Sequence, residues 1–235
     1  MSKKVAVVTG GSSGIGEATA RALAADGWHV IVAARRKENL DAIAKEIGGQ
    51  AIELDVTDEK SVADFAAAIT DCHLLVNNAG GAKGLDPIAE ASIEDWQWMY
   101  DTNVLGTLRV TKALLEVLTR CQGHIINMSS VAGFAPYAGG AGYNAAKFGV
   151  TAMNKVMRIE FAERGIRITE INPGRVKTDF SLVRFKGDAD KANAVYADKL
   201  NLTAEDIAES VRWVAALPEH VNIDRMVITP RDQVI

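Results

Sequence analysis

The most informative residues of this chain are Tyr143 and Lys147, four positions apart, with Ser130 upstream of them. On an α-helix, positions i and i+4 share one face, so the lysine ammonium can lie beside the phenol. A cation there favours the phenolate and lowers the pKa of the tyrosine, which is otherwise near ~10. Such a phenol can exchange a proton with an alcohol or a ketone. Because an ordinary amphipathic helix can also carry this pair, its interpretation depends on the rest of the chain.

Elements that could position these residues alternate along the chain. The predicted strands are nearly continuous apolar runs, typical of strands buried on both faces, at 5–9, 29–33, 51–54, 74–77, 124–128, 166–171 and 226–228. The predicted helices span 14–26, 36–47, 59–69, 93–120, 143–164 and 204–216, and capping-box-like sequences lie at 92–95 and 203–206. This alternation predicts an α/β fold, a doubly wound parallel Rossmann-type sheet in a single domain over 1–235. The charged, irregular stretch at about 178–202 is interpreted as a substrate lid.

The bulk composition narrows the classes of function. A formal net charge of −4 argues against nucleic acid or an anionic membrane as partner, and favours a small-molecule substrate. Cys72 and Cys121 fit no zinc or redox spacing, so we expect neither a disulfide nor a metal site. The apolar runs are too short for a signal peptide or a membrane span, which predicts a cytoplasmic protein.

A glycine-rich turn follows the first predicted strand and opens the first helix. Gly10, Gly14 and Gly16 let the backbone turn tightly and approach a ligand closely. The helix start beyond them offers free N–H groups to a phosphate. A nucleotide-triphosphate P-loop is excluded because Glu17 stands where that motif needs lysine. A turn of this kind without any ligand is the structural alternative.

Three cations, Arg35, Arg36 and Lys37, follow the second predicted strand, directly after Ala34. Dinucleotide folds that prefer NAD place an acidic residue near this position to bind the ribose 2′-hydroxyl. Arginine binds phosphate in a bidentate manner, so Arg35 first and Arg36 second are the candidates for a 2′-phosphate. The alternative is a solvated helix start, although cations oppose the helix dipole there.

Taken in order, these motifs resemble the short-chain dehydrogenase/reductase family over nearly the whole chain. The motifs that carry the resemblance are the glycine turn at 9–16, the Asn-Asn-Ala-Gly sequence at 77–80, Ser130 with Tyr143 and Lys147, Pro173-Gly174, Asp55-Val56 and Asn103. The resemblance implies an enzyme with NADP(H) as cofactor. The residues implied to bind it are Gly10, Ser12, Ser13, Gly14, Ile15, Gly16, Arg35, Arg36, Asp55, Val56, Asn78, Ala79, Gly80, Tyr143, Lys147, Pro173, Gly174, Val176 and Thr178.

The same resemblance implies four catalytic residues. Tyr143 would be the general acid or base, and Lys147 would lower its pKa and bind the nicotinamide ribose. Ser130, selected over Ser129 by the family spacing, would donate to the substrate oxygen, and Asn103 would hold a water that links Lys147 to solvent. The structural alternatives are a strand-end cap for Ser130, a helix-bend residue for Asn103 and a surface lysine for Lys147.

The segments 183–188, 218–223 and 229–230 look like the NADP-dependent 3-hydroxy acid dehydrogenase branch, whose members oxidise serine, allo-threonine and related acids. The chain departs from that branch in two places. The loop before Leu74 is short, and the stretch after Pro173-Gly174, which enters the lid, lacks extra glycine. The candidate substrate residues are Ser130, Tyr143 and Arg184. A substrate carboxylate is expected at Arg184, Lys186 or Arg175. The alternative is that these charges are solvated and offset by acidic lid residues, namely Asp179, Asp188 and Asp190.

Two other functions compete with a hydroxy acid dehydrogenase. One is a reductase of 3-oxoacyl thioesters or other carbonyls, and the other is a dinucleotide-sensing protein without catalysis. The helices predicted at 93–120 and 143–164 carry more apolar residues than one sheet face can cover. With the family resemblance, this predicts a homo-oligomer, either a dimer or a tetramer.

Overall fold

The apolar runs of the sequence pair into one parallel sheet. In a computed structural model of the protein, which describes residues 3–235, the strand order is β3-β2-β1-β4-β5-β6-β7. The strands are β1 Val5–Thr9, β2 His29–Ala34, β3 Gln50–Glu53, β4 Leu74–Asn77, β5 His124–Met128, β6 Arg167–Pro173 and β7 Arg225–Ile228. The predicted doubly wound parallel α/β fold is confirmed, and the described residues form a single domain. Residues 1–2 of the predicted domain lie outside the described part.

Helices cover both faces of this sheet. They are α1 Gly14–Ala25, α2 Lys37–Ile47, α3 Glu59–Ala67, α4 Ile93–Tyr100, α5 Gly106–Arg120, α6 Ala141–Glu160, α7 Phe180–Arg184, α8 Ala189–Ala194 and α9 Ala204–Ala216. One core cluster joins the sheet to α1, α2 and α9, and a second joins the opposite face to α3, α5 and α6. Strands buried on both sides therefore read as continuous apolar runs. None of the helices in residues 3–235 is long and apolar enough to cross a membrane.

The helix predicted over 93–120 has these bounds, but its α-helical ladder is interrupted once. A π-helical turn, Asp101–Leu105, separates α4 from α5. Asn103 explains the break, because its side-chain Nδ2 donates to Met99 O at 2.7 Å, four residues back. A side chain that occupies a carbonyl of the helix ladder competes with the backbone donor, and π turns of this kind are frequent at functional sites.

The lid also differs from its prediction as an irregular segment. It contains α7 and α8, and Asp188 caps α8 by accepting from Lys191 N at 3.1 Å. Val176, just before the lid, and Leu202, at its end, form an isolated parallel bridge, which brings the two ends of the segment together. Further along, the capping box predicted at 203–206 is present. The one predicted at 92–95 is half formed: Ser92 accepts from Asp95 N, but the Asp95 carboxylate binds the lid residue Lys186.

Candidate active site

The candidate residues gather at the carboxyl ends of the central strands. The glycine turn follows β1, the Asn78–Gly80 segment follows β4, Ser130 follows β5, and Pro173-Gly174 ends β6. The chain reverses its strand order between β1 and β4, since β2 and β3 lie on one side and β5 to β7 on the other. In open α/β sheets, ligands bind in the crevice at this switch point.

Two glycines of the turn are required by close backbone contacts. A Cβ at Gly16 would lie 2.3 Å from Gly10 O, and one at Gly10 would lie 2.8 Å from Asn78 Nδ2. Asn78 fixes the turn, because its Nδ2 donates to Thr9 O at 3.0 Å. The Thr9 hydroxyl in turn accepts from the backbone N–H groups of Asn78 and Ala79. The turn is therefore fastened to the end of β4, where Gly80 follows.

The start of α1 is suited to a pyrophosphate. Ser13 is its N-cap residue, and its side chain makes no capping hydrogen bond within residues 3–235. The first-turn N–H groups, which include that of Ile15, therefore remain available to an anion. Space is also open beside Gly14, where a Cβ would meet nothing nearer than Thr178 at 3.5 Å. These observations fit a dinucleotide, whose phosphates these N–H groups would hold.

The two candidate arginines for a 2′-phosphate have different surroundings. Arg36 reaches back to the glycine turn, where its Nη2 lies 2.5 Å from Ser13 Oγ and 3.1 Å from Ser12 Oγ. Arg35 is placed near Asp55. Burial raises the pKa of the Asp55 carboxyl, but hydrogen bonds from Thr57 and the charge of Arg35 hold that pKa below its usual value. Arg36 thus connects the glycine turn to the run of three cations that follows β2.

Other predicted cofactor residues surround this crevice. The side chain of Val56, after β3, packs against Gly106 at the start of α5. Gly174 N donates to Ile228 O at 2.7 Å, which ties the end of β6 to β7. The remaining two, Val176 and Thr178, lie where the chain enters the lid.

The structure distinguishes the two adjacent serines. Ser129 is buried, and its hydroxyl lies 3.4 Å from Lys147 O and 3.3 Å from Thr151 Oγ1 on α6. Ser130 is partly exposed; its hydroxyl donates to Pro173 O at 3.3 Å and accepts from Ala132 N. Ser130 therefore acts as a cap, as in the structural alternative, but of the two hydroxyls it is the accessible one.

Tyr143 lies on α6 and is almost fully enclosed, with 8% of its surface exposed. Its ring meets that of Phe180 from the lid edge-on, at 5.4 Å between centroids. Burial raises the pKa of Tyr143 to about 12, while the positive charge of Arg184 and the nearby hydroxyl of Ser130 act in the opposite direction. In this arrangement the cation that acts against the raised pKa of Tyr143 is Arg184, and the effect of Lys147 on that pKa stays a prediction.

Lys147 is buried rather than a surface lysine, with 6% of its surface exposed. Its Nζ donates to Met128 O at 2.9 Å and lies 5.7 Å from the centroid of the Tyr143 ring. Burial lowers the pKa of Lys147 to about 8, and the negative charge of Glu170 opposes that fall. The ammonium is thus held at the end of β5, one helical turn from the phenol.

Asn103 occupies the helix bend. Its Nδ2 donates to Gly81 O at 2.9 Å as well as to Met99 O, and its Oδ1 accepts from Gly81 N at 3.2 Å. A Cβ on Gly80 would lie 2.5 Å from Asn103 Oδ1 and 3.7 Å from Lys147 Nζ. The amide therefore positions the segment after β4 beside Lys147. Its role in a proton path stays a prediction.

The three cations proposed to bind a substrate carboxylate are separated by their partners. Arg175 pairs with Asp232 at 2.8 Å, and Lys186 pairs with Asp95 at 2.8 Å. Arg184 is 8% exposed, and within residues 3–235 its Nε has no hydrogen-bond partner.

Aromatic rings enclose the Arg184 guanidinium. Its carbon lies 5.0 Å from the ring centroid of Phe180, 5.1 Å from that of Tyr143 and 5.8 Å from that of Tyr137. Arg184 Nη2 donates to the Tyr137 hydroxyl at 2.7 Å, and Arg184 O accepts from Gly84 N at 2.9 Å. The lid thus places a buried cation directly against the candidate acid or base.

Sequence reasoning did not single out Tyr137, Phe180, Asp95 or Glu170 as members of this site. Tyr137 lies six residues before Tyr143 in a glycine-rich loop. Its closeness in sequence to Tyr143 could have predicted that it lines the site. The other three are brought in by long-range packing, and their spacing in the sequence carries no such signal.

Comparison with known proteins finds matches over most of the chain. The model of the family described as short chain dehydrogenase matches residues 4–188. An uncharacterised oxidoreductase of Mycobacterium tuberculosis is 54% identical over 232 residues, which cover 98% of this chain and 92% of that protein. An NADP-dependent 3-hydroxy acid dehydrogenase of Salmonella typhi is 43% identical over 237 residues, covering 97% and 96%. The solved closed form of a serine dehydrogenase complexed with NADP+ superposes with a TM-score of 0.95, at 39% identity, covering 98% and 96%.

Proposed function

Because the chain belongs to the short chain dehydrogenase family, we propose that it is an NADP(H)-dependent oxidoreductase acting on a small 3-hydroxy acid or the matching ketone. The observation that carries this proposal is the enclosure of the Tyr143 phenol between the strand-end Ser130 and the lid cation Arg184. This arrangement brings three functions together: proton transfer by Tyr143, a polar contact from Ser130 to the reacting oxygen, and recognition of an anion by Arg184.

Each residue of the site has its own role in the proposed reaction. NADP(H), when bound, supplies or accepts the hydride. In ketone reduction, Tyr143 gives its phenolic proton to the substrate oxygen, and Ser130 donates a hydrogen bond to that oxygen as negative charge develops on it. In alcohol oxidation, the same phenol takes the proton back. Lys147 supplies a fixed positive charge one turn away, and we assign it the ribose contact.

Arg184 is the substrate-recognition residue in this proposal. A buried guanidinium without an acidic partner is costly, and a carboxylate is the group that best satisfies its planar donors. Lys186 and Arg175 already have such partners on the protein. A cleft lined by Lys83, Asp95, Trp96, Met99 and Tyr143 adjoins the phenol.

We also propose a homo-oligomer in the cytoplasm. Large apolar side chains are exposed along α4 to α6 at Tyr100, Leu108, Phe148, Val156 and Ile159. Apolar patches of this kind mark interaction sites, and burial between copies of the chain would cover them. Light scattering should give a dimer or a tetramer; a monomer at micromolar concentration would contradict this part, and cell fractionation tests the compartment.

The decisive experiment follows the absorbance of NADPH with purified protein. NADP and NAD are each tested against a panel of 3-hydroxy acids, sugars and neutral alcohols, and NADPH against the matching ketones. We expect the highest kcat/KM for NADP with a small 3-hydroxy acid. Turnover of neutral alcohols at the same kcat/KM would refute the acid specificity, and absence of turnover with the whole panel would refute the proposed reaction.

A further inference from the structure

A buried carboxylate lies beneath the candidate active site and has no part in the chemistry described so far. Glu170, on β6, is 1% exposed. Its Oε2 accepts from Arg225 of β7, from Nε at 3.2 Å and from Nη2 at 3.1 Å. Its Oε1 accepts from Thr151 Oγ1 on α6 at 2.5 Å. Hydrogen bonds from these donors offset the cost of burying the carboxylate.

One connection leads from Glu170 to the strand end that carries Ser130. The side-chain amide of Asn172, oriented with its nitrogen towards these acceptors, donates to Glu170 Oε1 at 3.0 Å and to Ser130 O at 2.9 Å. This orientation is the one that satisfies both groups. Asn172 is fully buried, so the backbone of Ser130 is fixed from below through one intermediate residue.

A second connection leads to the helix that carries Lys147. Thr151, which donates to Glu170, lies on α6 one turn after Lys147. The hydroxyl of Ser129 bridges the two elements, at 3.3 Å from Thr151 Oγ1 and 3.4 Å from Lys147 O. Both connections from Glu170 thus end on the backbone of residues at or next to the reacting centre.

We propose that Glu170 is a positioning residue for the proposed oxidoreductase reaction, which holds Ser130 and the Lys147 turn of α6 in register and places a buried negative charge beside that turn. This inference rests on the proposed function for its kinetic meaning. Its geometry rests on the contacts with Thr151, Asn172 and Arg225.

The charges around Lys147 favour this assignment. Burial lowers the pKa of Lys147 to about 8, and Glu170 is the group that acts against it. The other ionisable groups packed around this region are Tyr143 on the same helix, Arg184 on the lid and Arg225 on β7. The pKa of Tyr143 is about 12, so the lysine is the group here that titrates near neutral pH. Neutralising Glu170 should therefore deprotonate Lys147 at lower pH.

The test compares Glu170→Gln with Thr151→Val. Gln keeps the shape but removes the charge, so we expect kcat to fall and the alkaline limb of the kcat/KM profile for ketone reduction to move to lower pH. Each unit of displacement corresponds to roughly tenfold less activity above the limb. Val removes the hydroxyl connection but leaves the Glu170 charge, so kcat should fall several-fold with the limb unmoved. Glu209→Gln, which breaks an exposed ion pair with Arg212, is the matched control and should match the wild type.

A second readout separates this inference from the proposed function. The pH dependence of the NADPH dissociation constant, from nicotinamide fluorescence, should shift in the same direction in Glu170→Gln. If the wild type turns over no substrate, the reaction is refuted, and the fluorescence titration still decides the role of Glu170. Unmoved profiles in Glu170→Gln, with only a lower Tm, would overturn the inference. If that variant does not fold, an unchanged kcat in Thr151→Val would overturn it, and a several-fold fall would support it.

Discussion

Replacing Arg184 by methionine tests the recognition of the substrate most directly. Methionine keeps much of the length and the apolar contacts with the surrounding rings of Tyr137, Tyr143 and Phe180, but it removes the charge and the donors. The substitution has two separable effects. It removes the proposed partner of the substrate carboxylate, and it removes the cation that opposes the raised pKa of Tyr143.

The size of the first effect follows from burial. Removing one partner of a buried, hydrogen-bonded charge pair costs about 2–5 kcal/mol. Arg184 already interacts with the Tyr137 hydroxyl and three rings, so the lower part of that range applies. At about 1.4 kcal/mol per factor of ten, we expect kcat/KM for a hydroxy acid to fall by ~30-fold to ~100-fold, mainly through KM.

The assay removes the second effect by comparing two substrates. The methyl ester of the same hydroxy acid carries the same reacting hydroxyl but no carboxylate. Any change at Tyr143 lowers turnover of acid and ester alike, whereas loss of the anion site lowers that of the acid alone. The ratio of the two kcat/KM values should therefore fall by ~30-fold or more. An unchanged ratio would refute the assignment of Arg184.

Lys186→Met is the matched control. Lys186 joins the lid to Asp95 at 2.8 Å, but its side chain is 63% exposed, so solvent screens the ion pair and it contributes little. Its loss can loosen the lid without removing the cation from the aromatic rings. Both substrates should then lose activity by the same small factor, and selective loss of the acid would contradict our distinction between the two cations.

Three further predictions concern the remaining parts of the site. Tyr143→Phe should abolish turnover and leave NADPH fluorescence binding within about twofold, because only the proton donor is lost; retained turnover would contradict its role. Arg36→Ala should lower kcat/KM for NADP by about tenfold or more and leave that for NAD unchanged, since a phosphate contact to a charged group is lost; equal losses with both cofactors would contradict a 2′-phosphate site. Gly16→Ala should lower the free energy of unfolding by roughly 1–3 kcal/mol in urea titration, because its Cβ would lie 2.3 Å from Gly10 O; wild-type stability would show that the turn can open.

The sheet could be predicted because the composition of its strands reflects their burial. β1 and β4 are apolar at nearly every position, which a strand requires only when both of its faces are covered. The break between α4 and α5 was not predictable in the same way. The apolar periodicity runs through it, and the π turn depends on an Asn103 amide that bonds both to its own helix and to Gly81, 22 residues away.

The residues of the candidate site also differ in whether the local sequence predicts them. Gly16 could be singled out because the glycine turn has a local position between a strand and a helix start, whereas Ser130 was selected over Ser129 by the family spacing to Tyr143. The protonation of Tyr143 could not be inferred from its spacing to Lys147. It depends on burial beneath α7, which begins 37 residues downstream, and on an Arg184 that no periodicity connects to the phenol.

The charges of the site argue for the class of substrate independently of any relative. Two buried cations flank the phenol, and their surroundings differ. Lys147 has a buried counter-charge in Glu170, whereas Arg184 has no ion-pair partner within residues 3–235. An uncompensated buried charge destabilises a fold unless something it binds restores the balance. A substrate that carries its own carboxylate would do so, and a neutral alcohol would leave the guanidinium desolvated without compensation. The selectivity for acids that we predict therefore depends on the burial of Arg184 against the phenol.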